Sequence, residues 1–494
     1  MIIVLPLIIP LFAFIFLLLI RKHVLLQKWF SVLLHIALLL VALFIFLNVN
    51  SNGMLVLQSG NWPAPFGITI AIDLFSAVML LLSGIIGLTI SIYSINAIDD
   101  DLYKNGYPAL AFSLILGVNG AFITGDVFNM YVWYEVMLIS SFVLITIGTT
   151  KEQLRGALKY VTMNFIASLF FLASIGLLYG KVGTLNMADL AVKLQGTETS
   201  LAVNSSLILF FVAFGIKAAI FPVFFWLPAS YHTPPVAVTS LFAGLLTKVG
   251  VYSLIRFYVL FFDDTTNFWQ ILLLITAGLT MAVGVLTATS QFDIRKILSF
   301  HIISQIGYMI MGLGIFTTLA LAGAIFYMAH NIIAKTNAFL VGGIIKKIHG
   351  TYDLKHLGGI YKQYPFVALL FFIPAMGLAG LPPLSGFIGK FTLVKAGLES
   401  QLYIITIVAL MVSILTLFSM IKIWNEAIWK QSSSKSPESP VQNKPIPLTL
   451  TIPVTFLAAI TVIMGVFGGY FIRVAMDVSE QLLNKQYYID AILK

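Results

Sequence analysis

The sequence predicts an all-α polytopic membrane protein of about 14 transmembrane helices, built as two inverted five-helix repeats, each with a discontinuous helix. Composition is the first reason. Hydrophobic residues make up 60% of the chain and charged residues only 10%, against about 25% charged in a soluble globule. Mean hydropathy is +1.00. Apolar runs of bilayer-crossing length, about 20 residues, recur from end to end with short loops between them. Two of those runs are interrupted by proline and glycine in the company of a lysine, the pattern of transporters built from inverted repeats.

The runs place helices near 2–20, 28–48, 71–96, 107–124, 126–148, 154–180, 201–228, 235–262, 268–290, 294–316, 318–345, 365–397, 402–428 and 448–474. Residues 1–106 hold the first three helices. They also hold an external hairpin within 49–70, where polar and turn residues forbid a span and Leu55/Leu57 and Ile68/Ile70 alternate. Repeat 1 occupies 107–262 and repeat 2 occupies 268–428, with the broken helices near 201–228 and 365–397. Between the repeats' own helices, Met187, Leu190 and Leu194 recur at helical spacing and predict a short interfacial helix. The Ser-, Pro- and Lys-rich stretch 431–447 reads as a flexible linker, followed by one last helix at 448–474. All of this forms a single integral membrane domain, 1–494, with no soluble catalytic domain.

The net charge of +9 belongs to scattered loops rather than to one face, which argues against nucleic-acid binding. Arg21, Lys22, Lys28, Lys151, Arg155, Arg295, Lys296, Lys346, Lys347 and Lys355 all fall on one side when the loops are alternated. The positive-inside rule assigns that side to the cytoplasm of a cell-membrane protein, leaving both termini outside. The first span is followed by Arg21-Lys22 instead of a small-residue cleavage site and reads as a retained helix. With no cysteine, thiol catalysis, iron–sulfur clusters and Cys-type zinc sites are excluded in this chain, and the histidines show no metal-binding spacing. No cofactor is expected.

Six ionisable residues lie deep in the apolar runs: Glu135, Lys217, Lys248, His330, Lys335 and Lys390. Glu135 is nine residues past Asp126, roughly 13 Å along a helix, near mid-bilayer. A lysine there costs roughly 2.5–3.5 kcal/mol on insertion scales, so it faces protein or a watery path. Lys159, Arg256, Lys395 and Lys422 lie within about two turns of helix ends and are expected to snorkel. The central lysines outnumber the one central carboxylate, so pairing cannot neutralise them all. Desolvation and mutual repulsion then favour the neutral amine in some of them, and such a lysine can accept and release a proton. His330 shares a helix with Lys335 and joins the candidate relay. His232, in YHTPP, and His301 are candidate gates.

The first broken helix, SLILFFVAFGIKAAIFPVFFWLP, places Pro222 five residues after Lys217. The second, IPAMGLAGLPPLSGFIGKFTLVKAG, holds Pro382, Pro383 and Lys390. Proline removes a backbone donor, which a membrane tolerates only where the freed groups are buried in protein or meet water. Two such breaks in corresponding positions, each bringing a lysine, point to an ion site.

The strings ITGDVFNMYVWYEVMLISSFVLI, FGIKAAIFPVFFWLPASYHTPPVAVTSLFAGLLTKVGVY, DIRKILSFHIISQIGYMIMGLG, FYMAHNIIAKTNAFLVGG and LAGLPPLSGFIGKFTLVKAGL resemble the antiporter-like family. That family includes the proton-pumping membrane subunits of respiratory complex I and the Mrp-type multisubunit Na+/H+ antiporters, and GDVFNMYVWYEVMLIS is most similar to the Mrp type. The resemblance implies fourteen helices and a hydrophilic axis in the membrane plane. Carried over by motif, Glu135 pairs with Lys217, Lys248 bridges, His330 and Lys335 continue the axis, and Lys390 ends it. It also implies a secondary transporter subunit, not an enzyme, moving H+ and Na+ alongside other subunits, one of them a homologous antiporter-like chain. The alternative is a proton-pumping subunit of complex I or of a membrane-bound hydrogenase. No motif marks a site for the transported cation.

Overall fold

A computed structural model of the protein describes residues 2–195, 201–262, 267–431 and 445–494. The expected linker falls mostly within 432–444 and lies outside the described residues. Twelve helices among the described residues are long and apolar enough to cross a membrane, and Tyr107–Ile123 and Pro365–Ala379 are shorter apolar helices.

The N-terminal part holds α1 (Leu5–Leu19), α2 (Val24–Asn52), α3 (Leu74–Ala97) and the short α4 (Asp100–Lys104). Strands β1 (Leu55–Gln58) and β2 (Thr69–Ile72) pair antiparallel between α2 and α3, Leu55 opposite Ile72, which is the expected hairpin. Next come α5 (Tyr107–Ile123), α6 (Val127–Thr146), α7 (Lys151–Val182), α8 (Met187–Leu194), α9 (Leu201–Ala218) and α10 (Trp226–Ser230). Then follow α11 (Val236–Leu241) and α12 (Thr247–Phe261), joined by a π-helical turn at Phe242–Leu246 into one span. The second series is α13 (Phe268–Ser290), α14 (Ile294–Ile315), α15 (Thr318–His349), α16 (Ile360–Gln363), α17 (Pro365–Ala379), α18 (Ser385–Glu399) and α19 (Tyr403–Ile423). The chain closes with α20 (Leu448–Val466), α21 (Gly468–Leu483) and α22 (Lys485–Leu493).

The two series are cut to one template. Asp126 caps α6 by accepting from the Asn129 amide, and Asp293 caps α14 by accepting from the Lys296 amide. Thr150 and Thr317 cap α7 and α15, each of 32 residues, and Gly183 and Gly350 end those helices in left-handed conformations. Each pair is separated by the same interval along the chain. A bridge joins Asp126 to Asn186, and its counterpart joins Asp293 to Asp353. An odd number of crossings separates Asp126 from Asp293, so the second series is inverted relative to the first.

Burial grades the helices. The windows of α1 and α2 are 28% buried, so most of their apolar surface faces outward, as lipid contact requires, whereas Val236–Phe261 is wholly buried and Ile294–Ile315 is 94% buried. The α15 helix packs against α3, α11, α14, α17, α18, α20 and α21 and is the central post. Sequence reading expected a single last helix to residue 474. The structure ends α20 at Val466 and starts a separate helix at Gly468. The reason is local: glycines at 465, 468 and 469 loosen the chain, and Arg473, Asp477 and Glu480 make the next segment amphipathic instead of spanning.

Candidate functional site

Both broken helices stop by the same device. In α9, Ala219 takes a left-handed conformation with φ 61°, and the Ile220 amide donates back to the Gly215 carbonyl at 3.0 Å. In α17, Gly380 sits at φ 88°, and the Leu381 amide donates to Met376 at 3.1 Å. These are Schellman-type ends, with Pro222 and Pro383 at matching places beyond them. Each break is then covered from the second half-helix. The indole Nε1 of Trp226 donates to the Ile216 carbonyl at 2.9 Å. In the other break, Lys390 Nζ donates to the carbonyls of Leu378 at 2.9 Å and Ala379 at 3.1 Å, and to Ser413 Oγ at 3.0 Å. Each break brings a lysine, as expected, but the two stand at different places. Lys217 precedes its break, whereas Lys390 follows its own and caps the exposed carbonyls, where a cation also meets the negative end of the helix dipole.

Glu135, on α6, is partly buried and its Oε1 has no hydrogen-bond partner. Lys217 lies close enough to feel its charge, yet the two form no ion pair within 4.0 Å. The pairing implied by resemblance is open in this structure. Lys217 Nζ instead stands 5.5 Å from the ring centre of Tyr134, whose hydroxyl lies 2.7 Å from Ser253 Oγ. A small cavity adjoins them, lined by Lys217, Tyr134, Asn164, Tyr160 and Trp226 among others.

From there the site continues inward. Gly250 of α12 packs directly on the backbone of Lys217 and Ala218, with no room for a Cβ. Two residues before it, Lys248 is fully buried and donates to the Ala243 carbonyl at 2.6 Å. That carbonyl belongs to the π-helical turn, a rare distortion often found at functional sites. Lys335 on α15 is also fully buried, and its Nζ has no hydrogen-bond partner. It lies within electrostatic reach of Lys248 on one side and Lys390 on the other. His330, one and a half turns away, places Nδ1 2.7 Å from Ser385 Oγ. His301 is not at a mouth: it is fully buried on α14, with Nε2 2.5 Å from Ser419 Oγ, and within reach of Lys335 and Lys390. Lys390 Nζ ends the series 4.9 Å from the Tyr308 ring centre. Lys248, Lys335, His330, His301 and Lys390 thus form a buried cluster of titratable groups, and the partly buried Glu135 and Lys217 adjoin it where Gly250 packs on the Lys217 backbone.

His232 stands apart, in the turn between α10 and α11, with Nδ1 2.8 Å from the Pro228 carbonyl. Burial lowers its pKa below the usual histidine value; the Pro228 carbonyl works against this, and nearby Lys296 and Arg295 add to it. Among the described residues, no three His, Asp or Glu side chains cluster as a metal site.

Sequence reasoning missed the hydroxyl and amide groups that support the series. Ser385, Ser413 and Ser419 hold the histidines and Lys390, and Asn331 and Gln305 leave buried amide atoms unpartnered nearby. Their signal was a serine or amide inside an apolar helix. Arg256 does not snorkel. It is 4% exposed and grips Asp73 with both nitrogens, at 2.5 and 2.8 Å, while donating to the Tyr252 hydroxyl at 3.0 Å. A sequence cannot place Asp73 against Arg256, because only packing of α3 on α12 brings them together.

Two inverted helix series, each with a broken helix, and a buried lysine–histidine series between the breaks define a polytopic membrane protein of the antiporter-like fold. The chain belongs to the family described as NADH:quinone oxidoreductase/Mrp antiporter, whose model matches residues 124–416. It is 46% identical to the D subunit of the Na(+)/H(+) antiporter of Alkalihalophilus pseudofirmus, over 100% of this chain and 99% of that one. Identity to the corresponding D subunit of Bacillus subtilis is 36%, with the same coverage. Among solved structures, a chain of the Mrp complex from Dietzia sp. DQ12-45-1b superposes with a TM-score of 0.93 at 30% identity, covering 100% of this chain and 99% of that one.

Proposed function

We propose that this chain is a subunit of a multisubunit cation/proton antiporter, a transporter and not an enzyme, which passes protons along the Glu135–Lys390 series in exchange for Na+. The reading rests chiefly on one observation: Lys248, Lys335, His330 and His301 are completely buried along one axis, and Lys335 has no hydrogen-bond partner. A buried ammonium without partners is costly, which favours a neutral, proton-exchanging amine at Lys335. Likeness over the full length to chains named antiporter subunits favours this reading over a redox-driven pump.

In this mechanism the opening and closing of Glu135 against Lys217 sets the direction. Closed, the carboxylate stabilises the ammonium. Open, Lys217 loses that support and hands its proton toward Lys248, then Lys335, His330 and Lys390. Water at the unpartnered polar atoms of Lys335, Asn331 and Gln305 carries it. We read 1–106 as an N-terminal unit, 107–262 and 268–428 as the repeats, 431–447 as a linker, and Leu448–Val466 as the last span. The basic loops put both termini outside the cell membrane. The other subunits, including a homologous antiporter-like chain, carry the remainder of the exchange. Everted vesicles containing the whole complex test the reading: Glu135→Ala or Lys217→Ala should abolish Na+-dependent proton efflux, and full activity in both would overturn it.

A further inference from the structure

A second cavity lies off this axis. It sits among α2, α3 and α5, has room for about one water, and is lined by Ser31, His35, Ser91, Ser94, Tyr107 and Leu241 among others. On α2, the residues Gln27, Ser31 and His35 recur every four positions and are all buried, a polar stripe on a helix whose other buried residues are apolar. Both Ser31 Oγ and His35 Nε2 are without a hydrogen-bond partner, although the two side chains are only 4% and 3% exposed. His35 is held firmly. Its ring stacks on Phe112 at 4.0 Å, and Gly87 of α3 leaves it space: a Cβ there would stand 2.5 Å from Cδ2 and 2.9 Å from Nε2.

The hydrogen bonding also settles which nitrogen is free. Nδ1 lies 2.8 Å from the Ser31 carbonyl, which can only accept, so Nδ1 carries the hydrogen and Nε2 is left with its lone pair. Its lining includes Tyr103, whose ring lies under Lys28, itself ion-paired with Asp100 at 2.7 Å. It also includes Leu241, the residue before the π-helical turn whose Ala243 carbonyl holds Lys248. Ile86, beside Gly87, packs against Gly244 of that same turn.

We infer that this cavity is a lateral proton port, in which His35 relays protons between the axis at Lys248 and water at the Lys28–Asp100 face. In each passage Nε2 takes a proton from water on one side and returns it to water on the other, so the imidazole ends neutral. This rests on the antiport reading above, and the test separates the two. The chain has no cysteine, so Ser31→Cys introduces its sole thiol. In assembled complex within everted vesicles, a small cationic methanethiosulfonate should modify Ser31→Cys at least roughly tenfold faster than Ser174→Cys, a buried control on α7, because the thiolate forms only where water reaches. Equal, slow rates would show a dry cavity and overturn the inference. Modification after assembly should also cut antiport at least about fivefold, as should His35→Phe, which keeps the stacking and removes the nitrogens. If Glu135→Gln is inactive while plugged Ser31→Cys and His35→Phe both transport normally, the port is refuted and the axis stands. If Glu135→Gln is fully active, the axis itself fails.

Discussion

Lys390 closes the open end of the helix that precedes its own: its Nζ lies 2.9 Å from the Leu378 carbonyl, across the break at Pro382 and Pro383. One ammonium thereby satisfies two orphan carbonyls and the Ser413 hydroxyl, and it also terminates the buried series. In the proposed relay, structural and proton-handling roles coincide at this residue, which separates it from Lys217.

Replacing Lys390 should consequently cost stability as well as transport. Lys390→Met is expected to lower the unfolding free energy of the purified complex by roughly 2 kcal/mol, the scale of hydrogen bonds to a charged donor, and to abolish antiport. Thermal unfolding of wild type and variant in the same detergent reads the first effect.

Glu135→Gln should behave in the opposite way. No ion pair within 4.0 Å is lost, so stability is expected to stay within about 0.5 kcal/mol of wild type. Antiport should still fall at least tenfold or so, since the amide cannot support the Lys217 charge. A large drop in melting temperature with normal turnover per assembled complex would contradict the relay.

The Asp73–Arg256 pair predicts a non-additive double mutant. Arg256→Met strands a buried carboxylate and is expected to cost roughly 3–5 kcal/mol. Adding Asp73→Leu removes the stranded charge and should recover most of that loss. Additive losses in thermal unfolding would mean that the two side chains do not act as a pair.

His232 predicts a pH dependence with a defined sign. Its folded-state pKa lies below the ordinary value, mainly through burial, so folding favours the neutral ring. That contribution is fully present above the unfolded value of about 6.5 and is lost as pH falls through the folded one. His232→Gln should flatten the acid side of a melting-temperature profile and leave the alkaline side unchanged.

Much of this protein is written along the chain. Hydropathy places the spans, because a helix that must satisfy its own backbone in lipid needs about 20 apolar residues whatever its neighbours do. The breaks were legible for the same reason, since Pro222, Pro382 and Pro383 cannot donate to a helix ladder. Glu135, Lys217, Lys248, His330, Lys335 and Lys390 stood out because a charge in an apolar run is costly wherever it points.

Partnership was not legible. That Lys248 meets Ala243, that Lys390 caps Leu378, that Glu135 stands open from Lys217 and that Asp73 clamps Arg256 all depend on which helices pack side by side. Hydrophobic periodicity is blind to this choice, because lipid and protein present equally apolar surroundings to a spanning helix. His35 shows the limit most clearly: on the sequence it is a histidine in an apolar helix, and only the approach of α3 at Gly87 and α5 at Phe112 makes it the wall of a cavity.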